Sequence, residues 1–471
     1  MRKYCSSCFA ARLPKFFSPG FLVLLMAATV ADARSWTDTQ GRKIEAEVVR
    51  VNPDKTVVLK TNRGKTVTVP FDTFSEEDVE HLEYLLSRKG RGKLHAVPWN
   101  EMNDLFGLEI WQDDLLWDDP TAGAGERMKM KKESKTDFME NHRTYPLGKE
   151  KILGEPVYTT ALYGGKEHVD SLSMVFLNRG DLLELDGRRR TPSAKQIEAS
   201  GMRIHDVIVP VLGKPRRDSL GKDALREKVW RWDWNGHAIM LSLQEGKYVA
   251  LRIMPVERAE RGGRIEKVKD DALRARMASC VERRENGDVI VRNIPMVNQG
   301  PKGYCSPATW ERYLRYLDIP ADMYLLALAG NTGTGGGTYS QNMIKATRNI
   351  ISSNGRKLKD IHSEPTLDNV AEYIDMGLPI MWRFRSTPSF QRTANNCTAV
   401  RNGKEPKEKK SGQKEDSVGG GHICLIIGYN PKTEEIAISD SWGPKFAERW
   451  VPLPDMQKVS YSSEGMNVIR W

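Results

Sequence analysis

Long hydrophobic runs are nearly absent from this chain. One apolar stretch, FLVLLMAATVA at Phe21–Ala31, stands out, and it is too short to cross a bilayer as a stable helix. With 28% charged residues and a mean hydropathy of −0.53, the rest excludes a membrane-embedded protein. Cysteine is scarce too: six in 471 residues, two of them (Cys5 and Cys8) ahead of the apolar stretch. The remaining four, Cys280, Cys305, Cys397 and Cys424, form no CxxC pair. That argues against a disulfide scaffold and against a zinc site. Cys424 sits inside an apolar run and reads as a small core residue, whereas Cys280 and Cys397 are left with their redox state open. The glycine-rich GNTGTGGGTYS (Gly330–Ser340) lacks the Lys-Ser/Thr of a phosphate loop. It reads as a loop whose bare backbone lets a peptide come close.

What is present begins with a targeting segment. Arg2, Lys3, Arg12 and Lys15 precede the apolar stretch, and Ala31-Asp32-Ala33 follows it as a small-x-small cleavage pattern. The expectation is a signal peptide over 1–33 cut after Ala33, a secreted or periplasmic protein, and no stable membrane span after cleavage. The chain carries 72 Lys and Arg against 62 Asp and Glu. Much of the surplus lies in local runs, Arg127–Lys132 and Arg401–Lys414. No nucleic-acid-binding signature accompanies them, so they read as solvated loops. Weak attraction to anionic cell-envelope polymers remains compatible with the charge.

The length calls for several domains, and the fold class expected is α+β multidomain. Short alternating runs over 35–88, punctuated by Asn52-Pro53-Asp54 and Asn62-Arg63-Gly64, predict an SH3-like β-barrel module ending in a helix capped by Ser75. Residues 95–260 read as a mixed α+β middle domain of unassigned role. In it, KVWRWDWNGHAIMLSLQEGKYVALRIM is a meander with Asn235-Gly236 as its two-residue turn. Trp230, Trp232 and Trp234 share a face, which reads as core rather than a sugar platform. A charged helical connector is expected over 264–286, and a last domain over 289–471.

That last domain holds the chemistry. In QGPKGYCSPATWERYLRYL, Pro307 suits the first turn of a helix, and Trp310, Tyr313, Leu314 and Leu317 give it one buried face. Cys305 then opens the helix, where free N–H groups and the dipole favour a thiolate. Gln299, in the loop before it, is suited to donate to an oxyanion. A base is needed, and His422 follows three glycines and begins the apolar strand HICLIIGY. Pairing Tyr429 with Glu435 across a five-residue loop would set His422 opposite Trp442, with Asp440 as its diagonal neighbour. Asp440 would then orient the imidazole and Trp442 shield it.

This constellation, Gln299, Cys305, His422 and Asp440-Ser-Trp-Gly443, resembles the papain-like cysteine peptidases. It is closest to the branch of double-glycine leader (bacteriocin-processing) peptidases. The resemblance covers about 289–471, and residues 35–86 resemble the SLA-homology module. It implies a papain-like α+β fold with Cys305 as nucleophile, His422 as general base and acid, Asp440 as orienting residue and Gln299 as oxyanion donor. It also implies a peptide or protein substrate, no cofactor and no metal. Transpeptidation or amidase action on cell-wall peptides would use the same site, and an inactive peptidase fold kept for binding is the third reading.

Overall fold

The computed structural model describes residues 34–471 apart from 53, 62–64, 77, 80–81, 84–96, 113, 186–187, 245, 335, 408–418 and 462–464. The expected signal peptide lies outside the described residues, as does most of the basic run after Lys407. The chain divides into two compact units, Met1–Lys93 and Leu94–Trp471.

The first unit is β-rich. Strands β1 (Arg34–Thr37), β2 (Lys43–Asn52), β3 (Thr56–Thr61) and β4 (Thr66–Pro70) form an antiparallel meander in that order. Trp36, Val57, Leu59, Phe71 and Phe74 fill its core. After β4 the chain returns to β1 through a bridge between Asp38 and Phe74. Ser75 Oγ accepts from the Asp78 backbone N–H at 3.4 Å, as its capping role requires, and Asp78 in turn accepts from the Thr37 N–H at 2.6 Å.

The second unit contains two large sheets. The first uses β5 (Lys132–Lys135), β6 (Glu140–Thr144), β7 (Thr159–Gly164), β8 (Val169–Asn178), β9 (Arg216–Leu220), β10 (Glu227–Trp234), β11 (His237–Gln244) and β12 (Tyr248–Pro255). Their order across the sheet is β9-β10-β11-β12-β8-β7-β6-β5. Trp234 pairs with His237 across Asn235-Gly236, whose φ values of 42° and 76° are those a two-residue hairpin needs. Trp232 and Trp234 are buried beneath helix α1 (Ala194–Leu212) and its neighbours, as a core face rather than an open platform.

The expected helical connector is helical only over Asp270–Ser279. Val281–Arg283 turns extended and becomes β13, because Val281 pairs with Val291 of β14 (Val289–Val291) at the edge of the second sheet. That sheet continues with β15 (Lys357–Ile361), β16 (Ile380–Ser386), β17 (Gly420–Asn430), β18 (Glu435–Ser439), β19 (Arg449–Pro452) and β20 (Met466–Arg470). Its order is β13-β14-β17-β16-β20-β15, with β18 joining β17 and β19. Helix α2 (Cys305–Tyr316) buries Trp310, Tyr313 and Leu314 against this sheet, as the periodicity predicts. Helix α3 (Met323–Ala329) packs on α2, and α4 (Ser340–Ser353) follows the glycine-rich loop. Arg401, expected to open a solvated loop, is the last residue of helix α5 (Pro388–Arg401), which packs on β19. Arg401 is not a solvated charge there, since it pairs with Asp288 and Glu435.

A buried polar network joins the first sheet to helix α2, which packs on the second. Arg143 on β6 binds Glu133 of β5 at 2.9 Å and Glu311 of α2 at 3.3 Å. Glu311 also accepts from Tyr163 and from the Met323 backbone N–H. Charges this deeply buried are tolerated only when paired on every side.

Candidate active site

Cys305 is the first residue of α2, and no side chain caps the N–H groups of that first turn. The helix start sets the positive end of its dipole at the thiol, and the Ser306 and Ile423 backbone favours the thiol's charged form. His422 lies on β17 opposite Phe384 of β16, which meets its ring edge-on at 5.3 Å. His422 Nε2 is 2.8 Å from Asp440 Oδ1, which leaves its other ring nitrogen for the Cys305 thiol nearby. Trp442 stacks on the imidazole, centroids 4.6 Å apart at 25°. The three chemically distinctive residues singled out from sequence thus meet in one place.

The register that brings them together differs from the one expected. At the turn Asn430, not Tyr429, pairs with Glu435, so the loop has four residues rather than five. A bulge between Ile426 and Gly428 then inserts one extra residue into β17 and shifts the pairing back. From Leu425–Ser439 onward the register is the expected one, and His422 reaches Asp440. Without the bulge, the face carrying His422 would be reversed relative to Asp440.

Charge at the site follows from these contacts. Burial disfavours ionisation of Cys305, but the hydrogen bond to His422, the imidazolium charge and the two backbone donors outweigh it and hold the thiol pKa below its ordinary value. Burial likewise opposes a charged His422, yet its bonds to Asp440 and Cys305 raise it to about 9. Asp440 is fully buried and would be hard to ionise, but the bond to His422 and the charge of Arg449 keep it below the usual carboxylate range. Both shifts favour a thiolate beside an imidazolium, the form in which a cysteine is nucleophilic.

Gln299 is buried in the loop before the helix. Its backbone N–H donates to the Ser441 carbonyl at 2.8 Å, and its Oε1 accepts from Ser441 Oγ at 2.9 Å. The Lys302 carbonyl, which can only accept, fixes which end of the amide is the donor. One Nε2 hydrogen goes to the Lys302 carbonyl at 2.6 Å, which leaves the second for a ligand. The glycine-rich loop lies beside this segment: Gly336 bridges Gly303, and the Gly337 N–H donates to the Gly303 carbonyl at 2.9 Å.

Sequence reasoning missed Arg449 and Ser441. Arg449, buried on β19, donates to Asp440 Oδ2 through Nε at 3.0 Å and through Nη2. Its remaining nitrogen holds Gln391 and Asn395 of α5. An arginine inside the apolar run Arg449–Val451 was the available signal. Cys424 is buried in the core as expected, and Cys280 and Cys397 are thiols, the latter bonded to Glu435 at 2.6 Å. Among the described residues no group of His, Cys, Asp and Glu is placed to hold a metal, and no helix is long and apolar enough to cross a membrane.

Comparison with known proteins defines the class of the domain that carries this site. Residues 291–465 match the Peptidase_C39 like family, and residues 26–89 match SLA1 homology domain 1. The C-terminal region is thus a cysteine-type peptidase domain, and the N-terminal unit is of the SLA1-homology, SH3-like class. Among solved structures, xylellain, a cysteine protease from Xylella fastidiosa, aligns at 14% identity and a TM-score of 0.29, covering 41% of this chain and 88% of its own. No curated protein matches the chain.

Proposed function

We propose that the protein hydrolyses peptide bonds through Cys305, His422 and Asp440, with Gln299 in the oxyanion hole. The observation that carries this reading is the position of His422, buried, bonded to a carboxylate that is itself held by an arginine, and near enough to Cys305 for each to favour the other's charged form. In the forward step the Cys305 sulfur bonds to the substrate carbonyl carbon, and the C=O electron pair moves to oxygen. The free Nε2 hydrogen of Gln299 and a backbone N–H at the start of α2 receive that charge. Collapse breaks the C–N bond as His422 gives its proton to the departing amine. A water then loses a proton to His422, attacks the thioester, and releases the acid and the thiolate. Asp440 holds the ring and balances its charge throughout.

The sequence supports export of this enzyme, with Ala33 as the last residue removed. Sequencing the N-terminus of secreted material should then begin at Arg34. The SLA1-homology unit would tether it to a protein or envelope-polymer ligand. The decisive test of the reaction is product analysis. Incubation with a mixed peptide pool should give new carboxyl termini carrying ¹⁸O from labelled water, dependent on Cys305. New peptide linkages without ¹⁸O would instead establish transpeptidation at the same site. No Cys305-dependent product of either kind would contradict an acyl-transfer enzyme.

A further inference from the structure

The loop from Ile294 to Tyr304 carries Gln299 to its place, yet it has no helix or strand of its own. Most of its anchors come from the first sheet and the turns beside it. The Met296 N–H donates to Ser134 Oγ at 2.9 Å and the Asn298 N–H to Glu133 Oε1 at 2.7 Å. Tyr145 donates to the Asn298 carbonyl, and Asn178 Nδ2 donates to Tyr304 Oη at 2.7 Å. Gly300 and Gly180 are the points of closest approach. A side chain on the first would meet the Tyr145 ring at 2.8 Å, and one on the second the Tyr304 hydroxyl at 2.1 Å.

The deepest anchor is Lys302. Its ammonium is almost wholly buried, bonded to the equally buried Asp181 and to Tyr324 Oη. The rings of Tyr324, Tyr304 and Tyr158 surround it at 3.9, 4.3 and 4.7 Å. A buried ion pair is a poor source of stability, but a demanding one for register, because removing either partner strands a charge. Here the register matters. The Lys302 carbonyl is the acceptor that holds Gln299 Nε2, and Cys305 follows three residues later.

Resting on the peptidase reading above, we propose that Asp181 is a positioning residue for the oxyanion hole. Through Lys302 it sets where the Gln299 amide points, so the region before residue 260 is a working part of the catalytic unit.

Two reagents separate this role from simple stabilisation. Iodoacetamide alkylates the thiolate by displacement at carbon and develops no oxyanion. p-Nitrophenyl acetate acylates it through a tetrahedral oxyanion, forming a thioester and expelling p-nitrophenolate. In the full chain, Asp181→Asn should slow acylation about 10- to 100-fold while alkylation at pH 7 stays within about twofold of wild type. If Asp181→Asn does not fold, Tyr324→Phe removes one acceptor of Lys302 and keeps the ring packing. It should cost at least about threefold in acylation, again without loss of alkylation. Equal losses with both reagents, or no loss with either, would overturn the assignment. A wild-type protein alkylated quickly but never acylated would instead contradict the peptidase reading on which it rests.

Discussion

Arg449 grips the oxygen of Asp440 that His422 does not use. The carboxylate is thus shared between an imidazole on one side and a guanidinium on the other, with no exposure to solvent. The arginine lets an ionised Asp440 exist at that depth, and its contacts to Gln391 and Asn395 tie the site to α5.

Replacing that arginine should therefore damage stability before chemistry. Arg449→Met leaves a buried carboxylate short of a partner, and a loss of about 3–5 kcal/mol is expected. Arg449→Lys keeps the charge without the fork and should lose less. Urea unfolding of the three proteins at pH 7 measures both. A methionine variant within about 0.5 kcal/mol of wild type would show that Arg449 does not support the aspartate.

The Ser441 hydroxyl acts on Gln299 alone. Ser441→Ala removes one of the two bonds that hold the amide, and one lost hydrogen bond of about 1.4 kcal/mol corresponds to about tenfold slower acylation. Gln299→Ala removes the donor itself and should cost about 10²- to 10³-fold. Their double mutant should be no slower than Gln299→Ala, because the serine has nothing left to orient. Additive losses in p-nitrophenyl acetate acylation would contradict this dependence.

Protonation of His422 is linked to folding. Its pKa in the folded chain is about 9 against an ordinary 6.5. A raised folded pKa means the folded state binds the proton more tightly. Its contribution to stability is therefore complete below pH 6.5 and is lost as the pH climbs through about 9. The melting temperature of wild type relative to His422→Gln should fall across that window. A difference that stays flat from pH 6 to 9.5 would mean the imidazole is not held as a cation.

Gly336 tests the glycine-rich wall. Its φ is 117°, and an added Cβ would lie 2.3 Å from the Gly303 Cα, backbone that cannot swing aside. Gly336→Ala should destabilise by more than about 1 kcal/mol and displace the segment before Cys305. Alanine at Gly337, where nothing lies within 4 Å, faces only the positive φ and should cost less.

The chemistry of the site was more legible in the sequence than the support beneath it. Cys305 at a helix start, His422 at a strand start and Asp440 in the returning strand are local signals of composition and period. The bulge at Ile427 was not legible, because an inserted residue leaves an apolar run looking uniform. Two errors offset one another there: the turn was placed one residue too long, and the bulge restored the pairing beyond it. Arg449 and the Asp181–Lys302 pair were missed for a different reason. Each is a polar residue whose partner is set by tertiary folding, and Asp181 is 121 positions from the lysine it holds. The same distance explains why residues 95–260 carried no visible chemistry, although they hold the loop that bears Gln299.

The most direct test of the central claim is the rate of iodoacetamide labelling from pH 5 to 9, for wild type beside Cys305→Ala and His422→Ala. Wild type should react fast well below the free-thiol pKa of ~8.5, lose that reaction in Cys305→Ala, and shift toward ordinary thiol behaviour in His422→Ala. A wild-type profile that rises only near pH ~8.5, unchanged by the loss of His422, would contradict an activated pair.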